Sequence, residues 1–193
     1  MIARTDLVCS KINEDVLEKA KGGDSEAYEE IFLIYRDRIF SAAYRLCNFD
    51  REAALDLTQD VFLKVWEKLP QFDNRSDLYT WIYRIMLNLY FKERRRKWLY
   101  EKFLELFGRS NEREVQSEPS QLGYLEHQEL RSALVNAMKR LSSKQELVFK
   151  LRMLDGMSFT QISEITGMAE GTVKTHLLRA IKALRKDLKE WLG

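Results

Sequence analysis

Side chains able to bind nucleic acid are concentrated near the end of the chain, in residues 170–186, which read EGTVKTHLLRAIKALRK. Apolar residues recur there at helical spacing, so one face of a helix would pack inward while cations cover the rest. Lys and Arg bind phosphates and guanine, and Thr contacts a phosphate or a thymine methyl. We therefore predict a helix that lies along a polyanion. Its outward residues are Glu170, Lys174, Thr175, Leu178 and Arg179, with His176 among its polar positions.

The residues before this helix supply the elements that would position it. A helix is predicted to begin at Ser142 or Ser143 and to stop at Gly156, and a short helix follows from Ser158. A turn containing Gly167 then leads into the basic helix. This order is typical of a helix-turn-helix, which places its second helix in the major groove of DNA. The alternative, a solvated cationic helix, does not account for the short helix and the Gly turn.

A second basic cluster, KERRRKWLYEK, occupies residues 92–102 and holds six basic and two acidic residues. It follows a predicted helix rich in aromatic residues, and aromatic rings interleaved with cations can stack unpaired bases while the cations hold the backbone. We assign Trp81, Ile82 and Ile85 to the core. The pattern predicts a surface for single-stranded nucleic acid. The aromatic residues of this segment are Tyr79, Trp81, Tyr83, Tyr90 and Phe91.

A third surface is acidic and apolar, in the segment AALDLTQDVFLKVWEKL at residues 53–69. Its acidic positions oppose a phosphate contact, and the apolar residues among them suit contact with another protein. A solvated edge of a core helix explains the pattern equally well, so both interpretations remain open. The residues concerned are Asp56, Gln59, Asp60 and Glu67, beside Leu63 and Trp66.

The periodicity of the whole chain predicts an all-α fold. Strand patterns are almost absent, and apolar residues recur at spacings of three and four. Residues 108–123 hold Ser, Glu, Gln, Gly and a Pro without an apolar period, which indicates a flexible linker between two small helical domains, residues 1–107 and 124–193. A long surface loop within one domain is the alternative. The predicted first core comprises Ala27, Ile31, Phe32, Tyr35, Ile39, Ala43, Tyr44, Leu57, Val61, Phe62, Val65, Leu69, Leu78, Trp81, Ile82, Ile85 and Leu89, with a helix from Asn13 to Lys21 laid across it.

The composition argues against several classes of function. Basic and acidic residues number 32 and 30, so only their distribution can direct the chain to nucleic acid. Cys9, Cys47, His127 and His176 form no metal-binding motif, and we expect no metal, no cofactor and two free thiols. No phosphate-binding loop or nucleophile motif occurs, so we expect no enzymatic activity. No secretory or membrane-spanning segment is apparent, which predicts a cytoplasmic protein without membrane insertion.

Taken in order, these segments resemble the extracytoplasmic-function (ECF) group of bacterial RNA polymerase sigma factors. The resemblance rests on DLTQDVFLKVWEKLPQFD, on YTWIYRIMLNL with its basic tail, and on LSSKQELVFKLRMLDGMSFTQISEITGMAEGTVKTHLLRAIKAL, and it covers about residues 27–184. It implies a stress-responsive factor that binds core polymerase and directs promoter recognition and opening. Residues 1–107 would be the region 2 domain, which binds core and the minus-10 element, and residues 124–193 the region 4 domain, which binds the minus-35 element.

The resemblance also implies roles for single residues, in three sets. Those expected to bind the clamp of the polymerase β′ subunit are Asp56, Leu57, Gln59, Asp60 and Phe62. Those expected at the minus-10 element are Phe72, Arg75, Ser76, Tyr79, Asn88, Arg94 and Arg95. Those expected at the minus-35 element are Arg152, Lys174, Thr175, His176, Leu178 and Arg179.

Three further expectations follow from the resemblance. A separate anti-sigma protein is expected to occlude the polymerase-binding and promoter-reading surfaces. His176 stands where many family members have Arg, so its phosphate contact would be weaker and pH-dependent. The loop DNRSD at residues 73–77 replaces more Gly-rich versions and bears on which minus-10 base is captured.

One alternative uses the same helix-turn-helix in a transcriptional regulator that does not bind core polymerase. Such a regulator needs a sensing or phosphoacceptor domain in front, with alternating strands and helices. The N-terminal half of this sequence predicts helices only. Retention by bacterial core polymerase would separate the two hypotheses.

Overall fold

A computed structural model of the chain describes residues 12–106 and 125–189. These residues form helices with short connections and contain no strand, which confirms the all-α prediction. The predicted linker, residues 108–123, lies outside the described residues. Residues 12–106 are called the first region below, and residues 125–189 the second region. The helices are α1 (Glu14–Lys21), α2 (Ser25–Leu46), α3 (Arg51–Lys68), α4 (Leu78–Leu106), α5 (Leu125–Met138), α6 (Ser143–Phe149), α7 (Phe159–Thr166) and α8 (Glu170–Asp187).

Polar caps begin the helices of the first region. Asn13, Asp24 and Asp50 each accept a 3.0 Å hydrogen bond from a backbone N–H in the first turn of α1, α2 and α3 respectively. Each cap satisfies a donor that has no partner within its helix. Pro70 lies in a short 3₁₀ turn, Leu69–Gln71, that ends α3. These helix boundaries are therefore local consequences of the sequence.

The core of the first region forms where α2, α3 and α4 bring their apolar stripes together. Ile31, Ile39, Val61, Val65 and Ile82 are all completely buried. They are among the residues predicted to form this core. α1 packs against α2, as predicted, and its apolar residues Leu17 and Ala20 are buried.

The second region contains the predicted helix-turn-helix. Ser142 and Ser158 each form a capping box, in which the serine side chain and a glutamine three residues later satisfy each other's backbone N–H groups. After α6 the chain makes a π-helical turn, Lys150–Leu154. Gly167 ends α7 with φ of 71°, a left-handed conformation that glycine adopts without a steric cost. Val173, completely buried, anchors α8 to the core.

The two regions also pack against each other, which the sequence did not predict. α4 lies against α7, and the C-terminal part of α2 lies against the π-helical turn. Lys150, on that turn, is 1% exposed, and its Nζ donates to the Leu46 carbonyl at 2.8 Å. Asp155 accepts hydrogen bonds from Arg45 and, at 2.6 Å, from the Tyr83 hydroxyl. Buried charges of the second region thus find their partners in the first.

Candidate nucleic-acid and protein interfaces

The outer face of α8 presents the residues predicted to read DNA. Lys174, Thr175, Leu178 and Arg179 are exposed, and Leu178 is 70% exposed. An apolar side chain this exposed on a helix-turn-helix suits contact with a thymine methyl. His176 is half-buried, and its Nδ1 has no hydrogen-bond partner among the described residues. Four of these side chains are therefore accessible from solvent, whereas the imidazole of His176 is recessed.

An aromatic ring supports the basic groups beside this face. The guanidinium carbon of Arg152 lies 4.9 Å from the centre of the Phe159 ring, and the Lys174 Nζ lies 5.3 Å from the same centre. Arg152 also donates to the Met157 carbonyl at 2.7 Å. These contacts restrict the positions of both cations. Sequence periodicity could not identify this role of Phe159, because the distance from its ring to Arg152 and Lys174 depends on the turn between the helices.

The residues before α4 form a polar loop above an aromatic floor. Phe72 is buried, with its ring centre 5.1 Å from that of Trp81. Arg75 is exposed and pairs with Asp73 at 3.0 Å, and Ser76 is half-buried. Among the predicted minus-10 residues here, Arg75 is thus the most accessible.

Tyr79, in the first turn of α4, is half-buried beneath Arg38, whose guanidinium carbon lies 3.9 Å from the ring centre. Burial raises the pKa of Tyr79 to about 12, against the opposing charge of Arg38. The hydroxyl therefore keeps its proton at neutral pH and remains a hydrogen-bond donor. One face of the ring is already occupied by a cation.

Further along α4, the remaining predicted minus-10 residues face different surroundings. Asn88 is exposed in a groove of about 470 Å³ between α4 and the second region. Arg94 donates to a carboxylate oxygen of Glu146, in α6, at 2.9 Å. Arg95 is exposed. The structure thus places Asn88 and Arg94 next to the second region and leaves Arg95 on the surface.

The residues predicted to bind polymerase divide between the two sides of α3. Asp56, Gln59 and Asp60 are exposed and form what we call the acidic face. Leu57 and Phe62 are 8% and 5% exposed and lie in the core beneath it. Their packing fixes the orientation of α3, whereas the acidic face is free to meet a partner.

Large apolar side chains accompany the acidic face. Leu63 and Trp66, identified from the sequence, are 59% and 40% exposed. Leu33 and Leu55 are also exposed, and sequence periodicity gave no reason to select them. Trp66 is held edge-on to Tyr28, with ring centres 4.8 Å apart. Exposed apolar groups among acidic ones are the composition of a protein-binding surface.

The described residues contain neither a metal-binding cluster nor a membrane-spanning helix. Within residues 12–106 and 125–189, His, Cys, Asp and Glu nowhere gather in a group of three or more able to hold a metal ion. The same part of the chain has no helix with the length and apolar character required to traverse a bilayer.

Comparison with known proteins gives matches in both regions. Residues 31–100 match Sigma-70 region 2, and residues 131–184 match Sigma-70, region 4. The first match contains the acidic face and the basic part of α4, and the second contains the helix-turn-helix. The region 2 match also argues against the transcriptional regulator considered above.

Individual relatives extend the similarity to most of the chain. The ECF RNA polymerase sigma factor SigW of Bacillus subtilis (strain 168) is 31% identical over 180 residues, which cover 90% of this chain and 95% of SigW. A structure of the sigma factor RpoE with the anti-sigma factor NepR from Bartonella quintana has a TM-score of 0.65 and 26% identity, covering 85% of this chain and 98% of RpoE. CnrH, solved with the cytosolic domain of CnrY, shares the fold with a TM-score of 0.64 and 18% identity over 91% of this chain and 96% of CnrH. Both sigma-70 regions are present in order, and SigW matches this chain over almost its full length. The chain therefore belongs to the extracytoplasmic-function group of RNA polymerase sigma factors.

Proposed function

We propose that this sigma factor docks on core RNA polymerase through the acidic face of α3 and reads promoter DNA with two separate surfaces. α8 reads the duplex at the minus-35 element, and the loop before α4, together with α4 itself, binds the melted minus-10 strand. The domain division at residues 1–107, 108–123 and 124–193 follows from this assignment. The chain contributes recognition rather than catalysis, and it acts in the cytoplasm with its polymerase.

The observation that carries the minus-35 assignment is the accessible cationic face of α8 on a helix-turn-helix. Lys174 and Arg179 are exposed there, and Phe159 supports Lys174 from the side. Cations at the outer face of the second helix are positioned for phosphates and guanine edges in the major groove. For Arg152, the support from Phe159 and Met157 favours a role in positioning the helix-turn-helix.

The polymerase assignment is supported by the composition of the acidic face. Carboxylates at Asp56 and Asp60 require a basic partner surface, and the apolar groups beside them, Leu63 and Trp66, supply area for burial. Leu57 and Phe62 contribute by holding α3 in place. The sigma-70 region 2 match spans this helix.

Reconstituted transcription tests the function. Purified chain and bacterial core polymerase should co-elute on size exclusion, and the holoenzyme should initiate at discrete positions on fragmented genomic DNA where core alone does not. The proposal would be contradicted if the chain did not co-elute with core polymerase, or if the transcripts were identical to those of core alone.

We also propose that an anti-sigma protein binds this chain. RpoE, which shares its fold and 26% identity, was solved with the anti-sigma factor NepR. The exposed apolar groups Leu33, Leu55, Leu63 and Trp66 provide a surface that a protein inhibitor could cover. Affinity purification of the chain from its own cells, in inducing and non-inducing conditions, should recover a partner that competes with core polymerase.

A further inference from the structure

The loop before α4 is organised at both ends by its own side chains. At its start, the Asp73 carboxylate accepts from the Arg75 backbone N–H at 3.3 Å and pairs with the Arg75 guanidinium at 3.0 Å. At its end, Asp77 accepts from the Thr80 backbone N–H at 2.9 Å and from the Thr80 hydroxyl at 2.5 Å, in the first turn of α4. These bonds stay within the loop and its helix, whereas Asn74, between them, contacts a distant element.

That element is α1, whose last residue, Lys21, reaches the loop from 53 positions away. The Lys21 Nζ donates to the side-chain oxygen of Asn74 at 3.4 Å and lies 5.5 Å from the centre of the Phe72 ring. The same Nζ pairs with Glu18, one turn earlier in α1, at 2.8 Å. A single ammonium group thus joins α1 to two residues of the loop.

The burial of Lys21 indicates what kind of role it has. Its side chain is only 14% exposed, although lysine usually extends its charged end into water. Lys19, in the same last turn of α1, is exposed. An ammonium group with so little access to solvent is poorly placed to bind a phosphate. Any contribution of Lys21 to DNA binding therefore passes through the loop.

Phe72 connects the same cation to α4. It is 5% exposed, and its ring centre lies 5.1 Å from that of Trp81. α1 also packs against the 3₁₀ turn, Leu69–Gln71, that immediately precedes Phe72. A ring this buried is not accessible to an unpaired base. Phe72, expected at the minus-10 element, therefore supports the loop from below and contacts Lys21 with its π face.

The conformation of Asn74 explains why such support matters. Its φ is 58°, in the left-handed region, which asparagine tolerates better than most residues but which is still a minor state of a free chain. The hydrogen bond from Lys21 favours this conformation because it fixes the Asn74 side chain. The loop is thereby ordered before any base binds.

We propose that Lys21 is a positioning residue of the minus-10 surface, whose ammonium group holds the loop in the conformation that captures an unstacked base. This inference rests on the proposed minus-10 role of the loop. A loop that samples other conformations binds the base with an affinity reduced to the fraction of molecules in the competent one. Loss of Lys21 therefore weakens binding of the preferred base more than binding of the others.

Three variants separate the cation from its surroundings. Lys21→Met removes the ammonium group and keeps a flexible apolar side chain, whereas Lys21→Arg keeps a cation. Lys19→Met is the matched control, since it makes the same charge change in the same turn of α1 at an exposed position. Thermal melts of the full chain and co-elution with core polymerase verify that each variant folds and forms holoenzyme.

The measurement is the base preference of holoenzyme on a template with a preformed minus-10 bubble, in which each unpaired base is replaced in turn by the other three. We expect wild type to prefer one base at one or more positions. Lys21→Met should lower that preference about fivefold, and Lys21→Arg and Lys19→Met should retain it. Affinity for minus-35 duplex should be the same in all of these proteins, because α8 is unchanged.

A wild-type preference in Lys21→Met would overturn the inference. An equal loss in Lys19→Met would also overturn it, because the effect would then be one of general charge, and so would an equal loss in Lys21→Arg, because the cation would not be the cause. A wild-type holoenzyme without any base preference in the bubble would refute the proposed minus-10 function of the loop, and this inference with it. A preference that survives Lys21→Met refutes this inference alone.

Discussion

At the scale of single residues, the cations of α8 differ in what they can do, and Arg179 is the most direct test. It is exposed on the outer face, so Arg179→Ala should weaken minus-35 duplex binding by about 1–3 kcal/mol if the lost contact is to a base edge. Fluorescence anisotropy with promoter fragments obtained from the transcription experiment measures the change. Arg185→Ala removes the same charge from an exposed position near the end of α8 and serves as the control. Equal losses in both variants would mean that Arg179 contributes only general charge.

A second prediction at this scale concerns Phe159, which supports Arg152 and Lys174 without facing DNA itself. Phe159→Leu keeps an apolar side chain but removes the π face, so duplex affinity should fall modestly while the melting temperature changes little. In a Lys174→Ala background the Phe159 substitution should cost less, because one of its two cations is gone. Fully additive losses in this double-mutant cycle would argue against the supporting role.

At the scale of an element, α3 presents carboxylates on one side and core residues on the other. Asp60→Lys with Gln59→Lys should weaken core polymerase binding at least tenfold, because the acidic face gains charge of the wrong sign for a basic partner. Folding should persist, since both positions are exposed. Competition for core against a labelled wild-type chain measures the effect, and Asp60→Lys alone is compared with Asp37→Lys, which makes the same charge change at another exposed position. Unchanged competition in the folded variant would place the polymerase contact elsewhere.

The loop before α4 and α4 itself yield a different prediction, because their proposed ligand, the melted minus-10 strand, exists only after the duplex opens. Asn88→Ala and Arg75→Ala should leave minus-35 duplex binding intact and impair promoter opening. Reconstituted holoenzyme is compared on a fully paired template and on one with a preformed minus-10 bubble, and the bubble should restore much of the lost activity. Duplex binding reduced as far as in Arg179→Ala would contradict the division between α4 and α8.

At the scale of the whole molecule, Cys47 reports on packing at the end of α2. Burial raises the pKa of its thiol to about 11, with Lys150 of the second region acting in the opposite direction. Because the thiolate is the reactive form, alkylation of Cys47 in a Cys9→Ser chain should be slow at neutral pH and should still be rising above pH 10. A rate profile with its midpoint near pH 8.5, as for an exposed thiol, would show that the site is open in solution.

The sequence alone determined the structural features that depend on residues only a few positions apart. Caps at Asn13, Asp24 and Ser158, the stop at Gly167 and the apolar periods fixed the helices and the helix-turn-helix, because such signals act within one or two turns. The same periodicity brought the exposed positions Lys174 and Arg179 to the outer face of α8.

Only the tertiary structure decided which surfaces remain free. Lys150 reads as an ordinary charged residue, yet it is buried through bonds to Leu46 and Asn48, about a hundred positions away. Arg94 stands in a basic run, yet it pairs with Glu146. Local patterns cannot specify such contacts, because each depends on how helices distant in sequence are placed against one another.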